Sequence, residues 1–254
     1  MMRPFVVCLL LSACHPTAQQ AIDAAPTADL HDDDMRHRLL TIGDAATLYV
    51  IATSVSPKVK GAEVTGDDPA HPTRVVFRDY GSFEDVEECP GKRTGSVMRG
   101  DTHVSKRDAS TYDFDTALVY ETTRYELCLE RKTTWAVIYR GTLRETPEGR
   151  SFDGKGEVAV DARGTISTEG QLIASTGCVS EPSAGSTTVS SGADSATLTY
   201  DGATACDTGK PLAKLTLNGE DLGFSGVTLC SASQPELFLW LIAAFVLRKR
   251  GVFA

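Results

Sequence analysis

From residue 112 to residue 175, apolar and polar positions alternate along the chain. In 112–121, Tyr112, Phe114, Leu118 and Tyr120 share one face, opposite Asp113, Asp115 and Glu121. In 124–132, Tyr125, Leu127 and Leu129 oppose Arg124, Glu126 and Glu130. In 134–144, Trp135, Val137, Tyr139 and Leu143 alternate with Arg140, Thr142 and Arg144. In 151–161, Phe152, Val158 and Val160 alternate with Asp153, Lys155, Glu157 and Asp161. In 165–175, Ile166, Leu172 and Ala174 alternate with Ser167, Glu169 and Gln171. Period two places one face of a strand on a core and the other in water, as in antiparallel sheets.

The connections between these runs are short. Thr122-Thr123 and Lys132-Thr133 separate the first three, and Thr146-Pro147-Glu148-Gly149 puts Pro and Gly in a tight turn. Asp161-Ala162-Arg163-Gly164 offers Gly164 as the left-handed residue of a three-residue hairpin. Five strands of about ten residues predict an up-and-down meander. Gly141, Gly154, Gly156 and Gly170 fall on its inward register, where they mark bends or close backbone approach.

Outside this core the pattern is weaker. Residues 46–53, rich in β-branched and aromatic side chains, predict a strand buried on both faces. Residues 61–73 read as loop, 74–77 as a short strand, 82–89 as a helical turn and 95–108 as a weak strand pair at best. The Ser/Thr/Gly-rich stretch 179–193 reads as loop and 195–201 as another strand. Residues 212–217 and 226–229 bracket Asn218-Gly219, a strong hairpin signal. The expected fold class is all-β, an antiparallel up-and-down meander curling into a partly closed barrel or sandwich, with 112–175 as its core and 195–230 as a closing hairpin unit.

The ends of the chain differ from the middle. Arg3 precedes the apolar run Phe5-Val6-Val7-Cys8-Leu9-Leu10-Leu11, and Leu11-Ser12-Ala13-Cys14 follows. A basic start, an apolar run and small residues make a secretory signal over 1–13. Leu, two small residues and Cys also resemble the lipobox of bacterial lipoproteins. That resemblance implies lipidation at Cys14, which becomes the mature N-terminus and attaches the protein to a membrane of a Gram-negative envelope. His15, where an Asp would imply retention at the inner membrane, implies the outer membrane.

Residues 14–38, with Pro16, Pro26, small residues and Asp32-Asp33-Asp34, predict a flexible acidic tether before a β domain spanning 39–230. His31, the Asp run and His37 offer mixed metal ligands, but nothing fixes their geometry, and a solvated acidic tether is the preferred reading. In 231–254, a polar segment with Pro235-Glu236, eleven apolar residues and Arg248-Lys249-Arg250 resemble Gram-negative C-terminal sorting tails of the PEP and myxobacterial types. Eleven helical residues reach about 16 Å, too short to span a bilayer, so a docked or interfacial helix is the alternative.

Charge and cysteines narrow the function. Lys+Arg is 25 against 34 Asp+Glu, a net −9 over 254 residues, which argues against nucleic acid as a partner. Export places the cysteines in an oxidising compartment, so they read as disulfides. Setting aside Cys8 and Cys14 leaves five, of which Cys206 with Cys230 is the first expected pair, Cys89 with Cys128 the second, and Cys178 the odd thiol. If Cys230 belongs to a processed sorting tail, the first pair does not form.

None of the common catalytic, nucleotide or metal motifs occurs, and the five His lie in the tether or in loops. No catalytic residue, cofactor or metal is therefore expected. Asp153-Gly154-Lys155-Gly156-Glu157 lacks the ligand register of a calcium loop. The sequence favours a lipid-anchored envelope or surface protein whose non-catalytic β domain is structural or contacts other envelope proteins. The alternative is a lipocalin-like carrier of a small apolar ligand, with Trp135, Tyr139 and Phe152 lining its cavity.

Overall fold

The computed structural model describes residues 15–56, 59–175, 182–200 and 213–225. The signal segment, Cys14, Cys178, Cys206, Cys230, the 226–229 strand and the 231–254 tail lie outside the described residues.

The strand runs build one eleven-stranded sheet in which every strand pairs antiparallel with its neighbour in sequence. In order these are β1 (Ala62–Thr65), β2 (Arg74–Asp85), β3 (Arg93–Lys106), β4 (Thr111–Glu126), β5 (Leu129–Thr146), β6 (Gly149–Val160), β7 (Ala162–Ala174), β8 (Pro182–Ser191), β9 (Asp194–Tyr200), β10 (Ala213–Leu217) and β11 (Glu220–Ser225). The up-and-down antiparallel expectation holds, and β1 and β11 remain as edges of an open sheet.

Register explains the two faces. Leu118, Val137 and Val158 pair across β4, β5 and β6 and are fully buried on the concave side. The adjacent row of Val119, Ala136 and Ala159 faces outward, yet it is buried too.

The helices account for both burials and correct the tether. Residues 15–38 are packed: α1 (Ala18–Ala24) lays Ala18 and Ile22 on the small side chains of the outer row. It starts in a capping box, where the Thr17 hydroxyl accepts from Gln20 N at 3.2 Å and Gln20 Oε1 accepts from Thr17 N at 2.9 Å. The chain then crosses the rim of the sheet. Arg163 N donates to Pro26 O, Ala28 N donates to Arg163 O, and Ser191 Oγ donates to Ala28 O. Leu30 beyond the crossing is completely buried.

The Asp run is a helix start. Asp32 caps α2 (Asp33–Ile42) by accepting from Asp34 N and Met35 N. Asp33 and Asp34 suit the first turn and pair with Arg36 and Arg38. Composition alone suggested solvation; the cap and the buried Leu39 and Leu40 decide otherwise.

Residues 46–53, expected as a strand, form α3 (Ala45–Thr53), capped by Asp44. The segment is apolar nearly all round, burying Ala45, Ala46, Leu48, Tyr49 and Ala52, so neither period is visible in it. Together α2 and α3 occupy the concave side, where they join Phe114, Tyr139, Phe152 and Ile166 in one core. Gly141 and Gly154 sit opposite each other on the strands beside these rings; a Cβ at Gly141 would stand 2.7 Å from the Phe114 ring.

Several strand boundaries move. Residues 82–85 belong to β2, and 95–106 to the long β3, because β4 gives every one of those β3 positions a partner. The runs 112–121 and 124–132 are not separate strands: Thr122-Thr123 continues β4, and Lys132-Thr133 lies within β5. The meander is therefore four longer strands in place of five. At the β6–β7 turn the left-handed residue is Asp161 (φ 61°) in place of Gly164. Residues 182–191 form β8 despite their Ser/Thr/Gly content, since β7 and β9 supply partners on both sides. The Asn218-Gly219 hairpin forms with both residues left-handed, and its second strand is Glu220–Ser225.

Candidate functional site

Strand lengths near the rim are unequal, and an arm results. β4 and β5 pair out to Glu126↔Leu129, whereas β5 and β6 stop at Trp135↔Val160. The six residues 129–134 of β5 carry the hairpin about 20 Å past β6, at ~3.3 Å per residue. β2 and β3 flank the same projection through Asp85↔Arg93 and Gly95↔Thr123.

The arm ends in a two-residue turn of Leu127 (φ 50°) and Cys128 (φ 61°). Left-handed φ favours Gly or Asn, so this pair is held by its surroundings. Cys128 is bonded to Cys89 in the β2–β3 connection, with α-carbons 5.5 Å apart. The second expected disulfide is therefore present, though Cys128 belongs to a turn and not to a strand face. Tyr125, Leu127 and Leu129 were expected on a core. Leu127 is instead 98 % exposed and Leu129 64 %, because the arm has outrun the layer beneath it.

An open groove of about 760 Å³ lies on the outer face of the arm, lined by Arg99, Glu121, Phe83, Tyr125, Lys132 and His15 among others. Its charges are matched in place. Arg99, mostly shielded from solvent, bridges Asp79 and Glu121. Glu130 accepts from Lys132 at 3.0 Å and from the Tyr125 hydroxyl at 2.9 Å, and both contacts hold its carboxyl below the usual range. Lys92 lies over the Tyr125 ring and Arg93 over Phe83.

Three of the described His residues sit beside carboxylates. His71 is buried between Asp68 (3.1 Å) and Glu145 (3.3 Å) and stacks on Tyr112 at 3.9 Å, tying the β1–β2 loop to β5. His31 faces Asp194, and His103 faces Asp101. Among the described residues, no group of three His, Cys, Asp or Glu is arranged to hold a metal ion. Asp153 accepts from Gly170 N across strands.

One buried polar cluster was missed in the sequence. Asp44, fully buried, accepts from Thr47 N at 2.7 Å and from Gln171 Nε2, while Gln171 Oε1 accepts from Ala46 N at 3.1 Å. Burial pushes the Asp44 carboxyl up, against the pull of those hydrogen bonds. Gln171 was expected in water. The register slips between Glu169 and Leu172, around the left-handed Gly170, and this turns Gln171 inward to zero exposure. The aromatics proposed for a cavity wall are buried in the core: Phe152 lies 5.9 Å from Tyr49 of α3, Tyr139 stacks on Phe114 at 5.7 Å, and Trp135 stacks on Tyr120 at 5.0 Å.

No family model, no curated protein and no solved structure matches this chain. Among the described residues, no helix is long and apolar enough to cross a membrane.

Proposed function

We propose that this chain is a lipid-anchored protein of the bacterial cell envelope, held through Cys14, whose β domain is a non-catalytic interaction module. The observation that carries the second half is the filled concave face. A carrier of the lipocalin kind needs an apolar cavity inside the sheet. Here Leu39, Leu40, Leu48 and Tyr49, from α2 and α3, stand at or below 3 % exposure where such a ligand would lie. What the domain offers instead is the disulfide-clamped arm, with apolar side chains at its tip. The acidic balance of −9 argues against nucleic acid as a partner.

The anchor rests on Leu11-Ser12-Ala13-Cys14 at the end of an apolar signal. Mass spectrometry of the mature N-terminus is its test, with an acylated Cys14 expected and Cys14→Ser releasing the protein from membranes. A mature chain beginning elsewhere, equally membrane-bound in the Ser variant, would overturn it.

A further inference from the structure

His15 is the first described residue, and it lies in the groove on the outer face of the arm, with Tyr125 and Lys132. Packing of α1 on Val119, Ala136 and Ala159 fixes this placement. Tyr125 is two positions from Leu127, so the groove that His15 lines reaches to within two residues of the arm tip. The first described residue and the most exposed apolar side chains of the arm thus share one end of the molecule.

The tip itself is built against its own preferences. Leu127 and Cys128 hold left-handed φ, and both Leu127 and Leu129 face water. The β4–β5 ladder and the Cys89–Cys128 bridge keep the turn in this form. Nothing in the described chain covers either leucine to compensate. The flanking charges carry both signs: Lys92, Arg93, Arg131 and Lys132 stand near Glu87, Glu88, Glu126 and Glu130. Such a rim does not favour a purely anionic or purely cationic surface. It suits a headgroup layer that itself carries both signs, with the leucines reaching the acyl boundary below.

We propose that the 127–129 tip is a second, non-covalent membrane contact. It docks into the interface of the phospholipid leaflet that holds the acyl group of Cys14, and the domain stands arm-down on that leaflet. This rests on the lipid-anchor reading above. A lipid close to the tip holds the leucines at the interface, and the leucines in turn fix the orientation that a lipid alone leaves free.

The test uses the lipidated full chain on phosphatidylethanolamine–phosphatidylglycerol vesicles, with and without brominated acyl chains. Leu127→Trp places a reporter at the tip, and Glu148→Trp places one in the exposed β5–β6 turn at the opposite end. The unsubstituted chain supplies the background of its own two Trp. Brominated lipid is expected to quench at least half of the emission added by Leu127→Trp and none of that added by Glu148→Trp. Vesicle-bound protein in which neither reporter is quenched would overturn the docking while leaving the anchor intact. So would a tip reporter shielded from aqueous iodide only by a co-purifying protein, which would assign the tip to a protein partner. Failure of the lipidated, unsubstituted chain to sediment with vesicles would overturn the anchor, and the docking with it.

Discussion

Asp44→Asn separates a structural role from an electrostatic one. Asn caps a helix as well as Asp does, so the bond from Thr47 N can persist. Gln171 cannot adapt, because its Oε1 is committed to Ala46 N and its Nε2 faces Asp44. The new amide either presents N–H to N–H or gives up the cap, a loss of about 1–3 kcal/mol at every pH. The second effect depends on pH. Burial raises the native pKa of Asp44 above its ordinary 3.8, so the folded chain keeps a proton that the unfolded chain has released. The wild-type contribution is whole below about pH 3.8 and is lost as pH rises through the native pKa, at up to about 1.4 kcal/mol per pH unit. The variant lacks this loss. Urea unfolding of both proteins, followed by circular dichroism from pH 3.5 to 8, should show the variant less stable at the acidic end and the gap shrinking as pH rises. A gap that is constant, or that widens with pH, would refute the burial argument.

Three further outcomes follow from the packing. Leu48→Ala, at a completely buried site on α3, should destabilise by about 2–5 kcal/mol in chemical denaturation; a loss under about 0.5 kcal/mol would mean α3 is not core. Replacing Cys89 and Cys128 by Ser removes a closure over a separation of 39, at most about 4 kcal/mol in the chain-entropy model, and limited proteolysis should then cut the arm near the tip first. Tyr200, Ala213 and Ser225 lie in one row across β9, β10 and β11, so the chain leaves this end of the sheet from strands about 10 Å apart, and a non-reduced peptide map should find Cys206 bonded to Cys230.

The meander was legible because one wet and one dry face write period two into the chain, and the inward set Tyr112, Phe114, Leu118 and Tyr120 is buried together. What failed were places where tertiary contacts override local pattern. The 46–53 run is apolar on all sides because α3 is enclosed by the sheet, and enclosed helices and enclosed strands look alike. The Asp32-Asp33-Asp34 run looked like solvated linker because a cap and a tether draw on the same residues, yet the Thr17-to-Gln20 spacing was a readable cap signal. Alternation in 124–132 did not hold, because the turn at Leu127-Cys128 interrupts it: Tyr125 pairs with Glu130 and Leu129 with Glu126, so Tyr125 and Leu129 lie on opposite faces of the arm. Gln171 was hidden by a register slip at Gly170, which no periodicity reports. Of the arm, the Cys89–Cys128 pairing was foreseen, and the projection was not.

Whether α2 and α3 fill one face of the sheet decides between an interaction module and a carrier. Hydrogen exchange of the full chain, resolved by mass spectrometry, measures this directly. Amides in α2 and α3 should exchange as slowly as those in β4 to β7, and adding a small apolar probe should change neither. Exchange of residues 33–53 within seconds, beside protected strands, would leave the concave face open and would contradict the account in favour of a ligand cavity.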